Sequence, residues 1–139
     1  MSGRGMFGYD DAKWLRNQSK PRMKGEPNKR PIRTVDLFAG CGGLALGIAE
    51  LCRRTNREHV VEVASDSDED ILEIYKSNFQ PIESTSEDID TLINGDLRTK
   101  KLTKKEIEFL NRYPNAKNPD LLLGGPPCQG HSDLNNWTR

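Results

Sequence analysis

Cys128 and the glycines around Gly40 are the residues of this 139-residue chain whose types and spacing could do chemistry. Cys128 follows Gly124-Gly125-Pro126-Pro127 and precedes Gln129-Gly130. A cysteine leaving the C-terminal end of a parallel strand stands where open α/β sheets bind ligands, and the two prolines restrict the backbone that aims it. A lone cysteine more often packs as a small buried hydrophobe. Here the neighbouring glycines and prolines are poor core formers and suit an exposed loop, which favours a nucleophilic thiolate. The second stretch, Gly40-x-Gly42-x-x-Ala45, joins a β-type run to a helical pattern. Small residues there let a ligand approach the backbone, and free helix N–H groups point at negative charge. The same spacing also serves as a tight turn that simply needs glycine dihedrals. An acid roughly 20 residues past such a turn is expected to hold a ribose hydroxyl pair, and Asp66 stands near that position. Of its acidic neighbours, Glu69 and Asp70 read as a solvated helix start whose charges complement the helix dipole.

The elements that must position these residues follow from pattern. Thr34 to Phe38 is a β-type run, and Leu44, Ile48 and Leu51 then repeat at helical spacing, with Arg53-Arg54 in the last turn. His59 to Ala64, with Val60, Val61 and Val63, reads as a second strand. Ser67 and Asp70 have capping-box spacing ahead of a helix whose face carries Ile71, Ile74, Tyr75 and Phe79. Gln80 to Asp90 reads as loop and Thr91 to Asn94 as a short third strand. Thr103 and Glu106 form a second capping-box pair, opening a helix with Ile107 and Leu110 that stops before Pro114. Leu121-Leu122-Leu123 reads as a brief buried strand. Strands alternating with helices predict an α/β fold, a Rossmann-like parallel sheet with helices on both faces.

The sequence resembles the C5-cytosine DNA methyltransferases. Asp36-Leu37-Phe38-Ala39-Gly40-Cys41-Gly42-Gly43 is similar to their cofactor motif, and Gly125-Pro126-Pro127-Cys128-Gln129-Gly130-His131-Ser132 to their Pro-Cys motif, in the family's order and separation. The resemblance implies a partial S-adenosylmethionine-dependent methyltransferase fold with Cys128 as the catalytic thiolate. It implies cofactor contacts from Phe38 on the adenine ring, from Ala39, Gly40, Cys41, Gly42 and Gly43 beside the methionine end, and from Asp66 on the ribose hydroxyls. Ser67, Asp96, Leu97 and Pro126 complete that set, with Asp96 of Gly95-Asp96-Leu97 accepting from the adenine amino group. Two positions depart from the pattern: Ser67 replaces a bulky apolar residue, and His131 stands where phenylalanine is usual. The implied activity is methylation of carbon 5 of a cytosine flipped out of double-stranded DNA, as in restriction-modification. A nicotinamide oxidoreductase would share the glycine turn but has no use for Pro-Pro-Cys-Gln. A cofactor-binding but inactive remnant or regulatory subunit is the alternative.

Composition sets the outer bounds. Twenty-one Lys and Arg balance 21 Asp and Glu, 34% of residues are hydrophobic, and the mean hydropathy is -0.77. No stretch approaches the roughly 20 apolar residues of a membrane span. Three irregularly spaced cysteines suit a reducing, intracellular setting, cytoplasmic in a bacterium or phage and nuclear in a eukaryote. Cys41, Cys52 and His59 have no zinc-site spacing, so no metal is expected. Neutrality is a cancellation: Met1 to Thr34 carries nine basic and three acidic residues, while the remainder carries twelve and eighteen. Residues 1–31 therefore read as a basic, largely disordered segment whose charge suits phosphates. Residues 32–139 read as the N-terminal part of an incomplete catalytic domain, because the family's Glu-Asn-Val, arginine and target-recognition regions are not among them. A C-terminal half or complementing chain is the expected partner, alongside DNA.

Overall fold

The computed structural model describes residues 25–96 and 98–126. Four strands form one parallel sheet: β1 (Ile32–Leu37), β2 (His59–Ser65), β3 (Glu83–Thr85) and β4 (Leu121–Gly124), in the spatial order β3-β2-β1-β4. Helices α1 (Gly43–Thr55) and α2 (Glu69–Phe79) connect the first three strands. The short α3 (Ile89–Leu92), α4 (Lys104–Arg112) and a 3-10 turn (Pro114–Lys117) lead back to β4. The chain is thus α/β with a Rossmann-like sheet, as the alternating pattern predicted.

Alternation along the strands divides the core in two. Val35 and Val63 point to one face and pack with Leu92, Phe109 and Tyr113 from α3, α4 and the turn after it. Val61 and Ala64 point to the other, against Ala45 of α1 and Leu72 and Tyr75 of α2. The register between β1 and β2 shifts between Thr34 and Val35, whose partners are Val61 and Val63. Glu62 is therefore the extra residue of a β-bulge, a device that re-aims one side chain. Ahead of β1, Glu26 N donates to Asn56 O at 3.0 Å and Ile32 N to Glu58 O at 2.8 Å, which pins the chain before the sheet begins. Among the described residues no helix is long and apolar enough to cross a membrane.

Local signals located the helices but misjudged some faces and edges. The Thr103–Glu106 capping box is present in full, and α4 ends at Arg112 as Pro114 requires. For α2 the cap is Asp68, whose side chain accepts from Ile71 N at 3.1 Å, and not Ser67. Thr91 to Asn94 is not a strand: Thr91 and Leu92 are helical, and the third strand is Glu83–Thr85, within the stretch read as loop. Its residues are polar, so its place comes from the ladder with β2 and not from an apolar pattern. In α1 the buried residues are Ala45 and Cys52, while Leu44 and Leu51 of the expected apolar face are exposed. Of the face expected on α2, Tyr75 is buried, whereas Ile71 and Ile74 are exposed and Leu72 is buried in their place. β4 lies at the sheet edge, so Leu122 is 66% exposed where a buried strand was expected.

Candidate functional site

Because every strand is parallel, β1, β2 and β4 end side by side: Leu37 is in register with Ser65 on one flank and Gly124 on the other. The turn that leaves β1 there is strongly constrained. Phe38, Gly40 and Gly42 have φ of 56°, 53° and 98°. Phe38 bears a side chain in this sparsely populated region, a form of backbone strain that concentrates at functional sites. Gly42 has a steric reason as well, since any Cβ there would strike the Phe79 ring. Ala39 N donates to Ser65 O at 2.9 Å and Gly42 N to Ala39 O at 3.0 Å.

Asp66 is the pin of this turn. Its Oδ2 accepts from Gly40 N at 2.7 Å and its Oδ1 from Asp68 N at 3.0 Å, so one carboxylate joins the β1–α1 turn to the start of α2. A carboxylate has about four lone-pair sites, which leaves acceptor capacity for two hydroxyls. A Cβ built on Gly40 or Gly43 meets nothing within 4 Å, so the turn borders open space. The N-terminus of α1 has no side-chain cap and no acid in its first turn, which leaves it suited to an incoming carboxylate. Phe38 is half-buried, Ala39 buried, and Cys41, Ser67 and Pro126 exposed. From β4, a Cβ on Gly125 would lie 3.9 Å from Leu44 Cδ1, so the segment leading to the Pro-Cys motif runs past the start of α1.

Two groups here were not singled out from sequence. Asp36 is 1% exposed, and Tyr75 Oη donates to its Oδ2 at 3.0 Å. Its Oδ1 has no hydrogen-bond partner. Burial, with the charge of Asp66 adding to it and the Tyr75 hydrogen bond opposing it, pushes the Asp36 carboxyl up to about 6. Burial pushes the Tyr75 phenol up as well. An acid set between Val35 and Leu37 of a strand was the available signal, since a carboxylate there needs a specific partner. The second group is Asp88, three residues past β3, whose Oδ1 accepts from Asp90 N at 3.0 Å. It follows a strand end, as Asp66 does.

Asp96 does not follow a strand, because the preceding Ile89–Leu92 is helical. It is exposed and engaged with Arg98, whose guanidinium and, to a lesser degree, backbone N–H hold its carboxyl below the usual range. It lines a shallow pocket with Gly95, Lys100, Lys101, Leu102 and Glu106. Leu97 and Cys128 lie outside the described residues. Among the described residues no cluster of three or more His, Cys, Asp or Glu could hold a metal ion.

Residues 32–136 match the family model described as C-5 cytosine-specific DNA methylase. The chain is 43% identical over 131 residues to the type II methyltransferase M1.BsuMI of Bacillus subtilis, a match covering 94% of this chain and 29% of that protein. It is 36% identical over 105 residues to the type II methyltransferase M.HindV of Haemophilus influenzae, covering 73% and 26% respectively. Against the DNA (cytosine-5)-methyltransferase PliMCI of Paracentrotus lividus it is 29% identical over 108 residues, covering 76% of this chain and 6% of that protein. The chain therefore spans less than a third of the length of these relatives. With the glycine turn and the strand leading to the Pro-Cys segment side by side, and a family match running through both, the chain belongs to the C-5 cytosine-specific DNA methylase family.

Proposed function

We propose that this chain supplies the cofactor pocket and the nucleophile for methylation of carbon 5 of cytosine in double-stranded DNA. The observation that carries this reading is the parallel pairing of Leu37 with Gly124, which sets the strand that leads into the Pro-Cys motif beside the strand that leads into the glycine turn. S-adenosylmethionine, when bound, supplies a methyl group activated by its sulfonium. The residues present fit it: open space beside Gly40 and Gly43, an uncapped α1 N-terminus for the carboxylate, and spare acceptor capacity on Asp66 for the ribose hydroxyls. Phe38, Ala39, Cys41, Gly42, Ser67, Leu97 and Pro126 complete the proposed surroundings. For the adenine amino group we assign Asp88 in place of Asp96, because Asp88 follows β3 at the same end of the sheet at which Asp66 follows β2.

In this reading Cys128 adds as a thiolate to carbon 6 of the flipped cytosine, which makes carbon 5 nucleophilic. After methyl transfer the carbon 5 proton leaves to a base, and the Cys128–carbon 6 bond breaks to restore the aromatic ring. Flipping the base costs a few kcal/mol, which binding must offset. The exposed edge strand β4, with Leu122 outermost, supports a requirement for a complementing protein segment. The test is capture on DNA carrying 5-fluorocytosine, which cannot lose a proton from carbon 5. With cofactor and complementing segment present, the chain forms a covalent adduct and Cys128→Ser forms none; an adduct with Cys128→Ser overturns the assignment. Methyl transfer by the chain alone overturns the requirement for a partner. Cofactor titration separates the acids: Asp88→Ala weakens binding and Asp96→Ala leaves it unchanged.

A further inference from the structure

The chemistry just described leaves the Asp36 carboxylate without a task, although it is buried directly before the glycine turn. One of its oxygens accepts from Tyr75 Oη and the other has no partner. The ionisable groups facing it are Tyr75 from α2 and Asp66 from the end of β2. Beside it in register are Ala64 of β2 and Leu123 of β4, and the buried side chains of α1 are Ala45 and the Cys52 thiol, which burial keeps neutral. Asp66 in turn holds Gly40 N. Asp66 thus joins the Asp36 carboxylate to the turn, and among the described residues no cation faces the pair.

We propose that Asp36 makes this pocket select a sulfonium over a thioether, so that S-adenosylmethionine is bound in preference to S-adenosylhomocysteine. The inference rests on the cofactor reading above. The two compounds share adenosine, amino group and carboxylate, and differ by one methyl and the positive charge it places on sulfur. A buried anion with an unpartnered oxygen and a second carboxylate alongside stabilises a nearby cation and is indifferent to a neutral sulfur, and low-dielectric surroundings enlarge that difference. Spent cofactor therefore leaves more readily than fresh cofactor. Protonation of Asp36 removes the anion, so the selection weakens in acid.

Calorimetric titration of the full chain with each compound between pH 5 and pH 8.5 tests this without requiring turnover. The preference for S-adenosylmethionine should be about tenfold greater at pH 8 than at pH 5, the scale of an opposite charge placed within reach of a carboxylate. Asp36→Asn should lower the preference at pH 8 to its acid value and abolish its pH dependence, which separates Asp36 from the histidines. Tyr75→Phe, which keeps the ring but removes the donor, should shift the transition to higher pH. If both compounds bind but their ratio ignores pH, or Asp36→Asn retains the wild-type profile, the inference is overturned and the cofactor reading stands. If neither binds at pH 8, the cofactor reading falls and takes the inference with it.

Discussion

Glu62 and Asp36 are buried carboxylates on neighbouring strands, each with one oxygen lacking a partner, yet their surroundings differ in kind. Glu62, thrown out of register by the β-bulge, meets the Arg33 guanidinium. Close by, Asp120 pairs with Arg30 and accepts from Arg33 N at 2.9 Å, and Thr34 Oγ1 contacts His59 Nε2 at 3.0 Å. Charges at that end are balanced within the chain, and the arrangement fixes β1 against β2 and β4. Asp36, nearer the other end, meets a phenol and a second carboxylate. The comparison teaches that burial alone does not mark a functional acid. What marks one is burial without a compensating cation, where pH or a ligand sets the charge.

Breaking the balanced end should produce the largest effect. Arg33→Ala leaves Glu62 buried and uncompensated and should cost about 3 kcal/mol in urea unfolding, at the low end for a broken buried pair because Arg33 is 42% exposed. Combining it with Glu62→Gln should recover most of that loss; no recovery would show that Arg33 acts through packing of its stem.

The unbalanced end should respond in the opposite sense. Its raised carboxyl means that the folded chain binds a proton more tightly than the unfolded chain, so the Asp36 contribution favours folding in acid and is lost as pH rises through about 6. Asp36→Asn should therefore stabilise the chain at pH 8 by at most about 3 kcal/mol, less whatever the amide loses in replacing the neutral acid, with the gain shrinking below pH 6 and absent by about pH 4. A loss of stability at pH 8 would place a compensating charge on Asp36. Tyr75→Phe should cost about 1.5 kcal/mol at pH 8, the range of a hydrogen bond to a charged acceptor, and should drive the Asp36 carboxyl higher still, read by carboxyl NMR titration. The smallest effect belongs to Thr103→Ala, which should cost about 1 kcal/mol through loss of the α4 cap and leave the Asp36 transition near pH 6 where it is.

What could be read residue by residue depended on the range of the interaction. The Thr103–Glu106 box and the stop before Pro114 are settled within four residues, and both were anticipated. The start of α2 was misplaced by one residue although its signal is also local. Asp66, itself fixed by Gly40 across the sheet end, accepts from Asp68 N, and the helix begins at Glu69 with Asp68 extended as its cap. β3 was missed because Glu83, Ser84 and Thr85 have no apolar alternation, and hydrogen bonding to β2 supplies what their side chains do not. The leucine stripe of α1 misled for a steric reason. Small Ala45 and Cys52 let the helix settle against the sheet, and the larger Leu44 and Leu51 remain outside.

The sequence by itself determined the parallel α/β class, the positions of the main helices, the glycine turn and the family resemblance, since these rest on periodicity, steric allowance and motifs contiguous in the chain. Only the tertiary structure decided that β4 pairs with β1 and brings Gly124 beside Leu37, that Glu62 falls in a bulge facing Arg33, and that Asp36 is enclosed with Tyr75 and Asp66. Sheet order and desolvation are collective properties. A carboxylate has no buried environment until strands and helices from distant parts of the chain have closed around it, and no short window of residues contains that information.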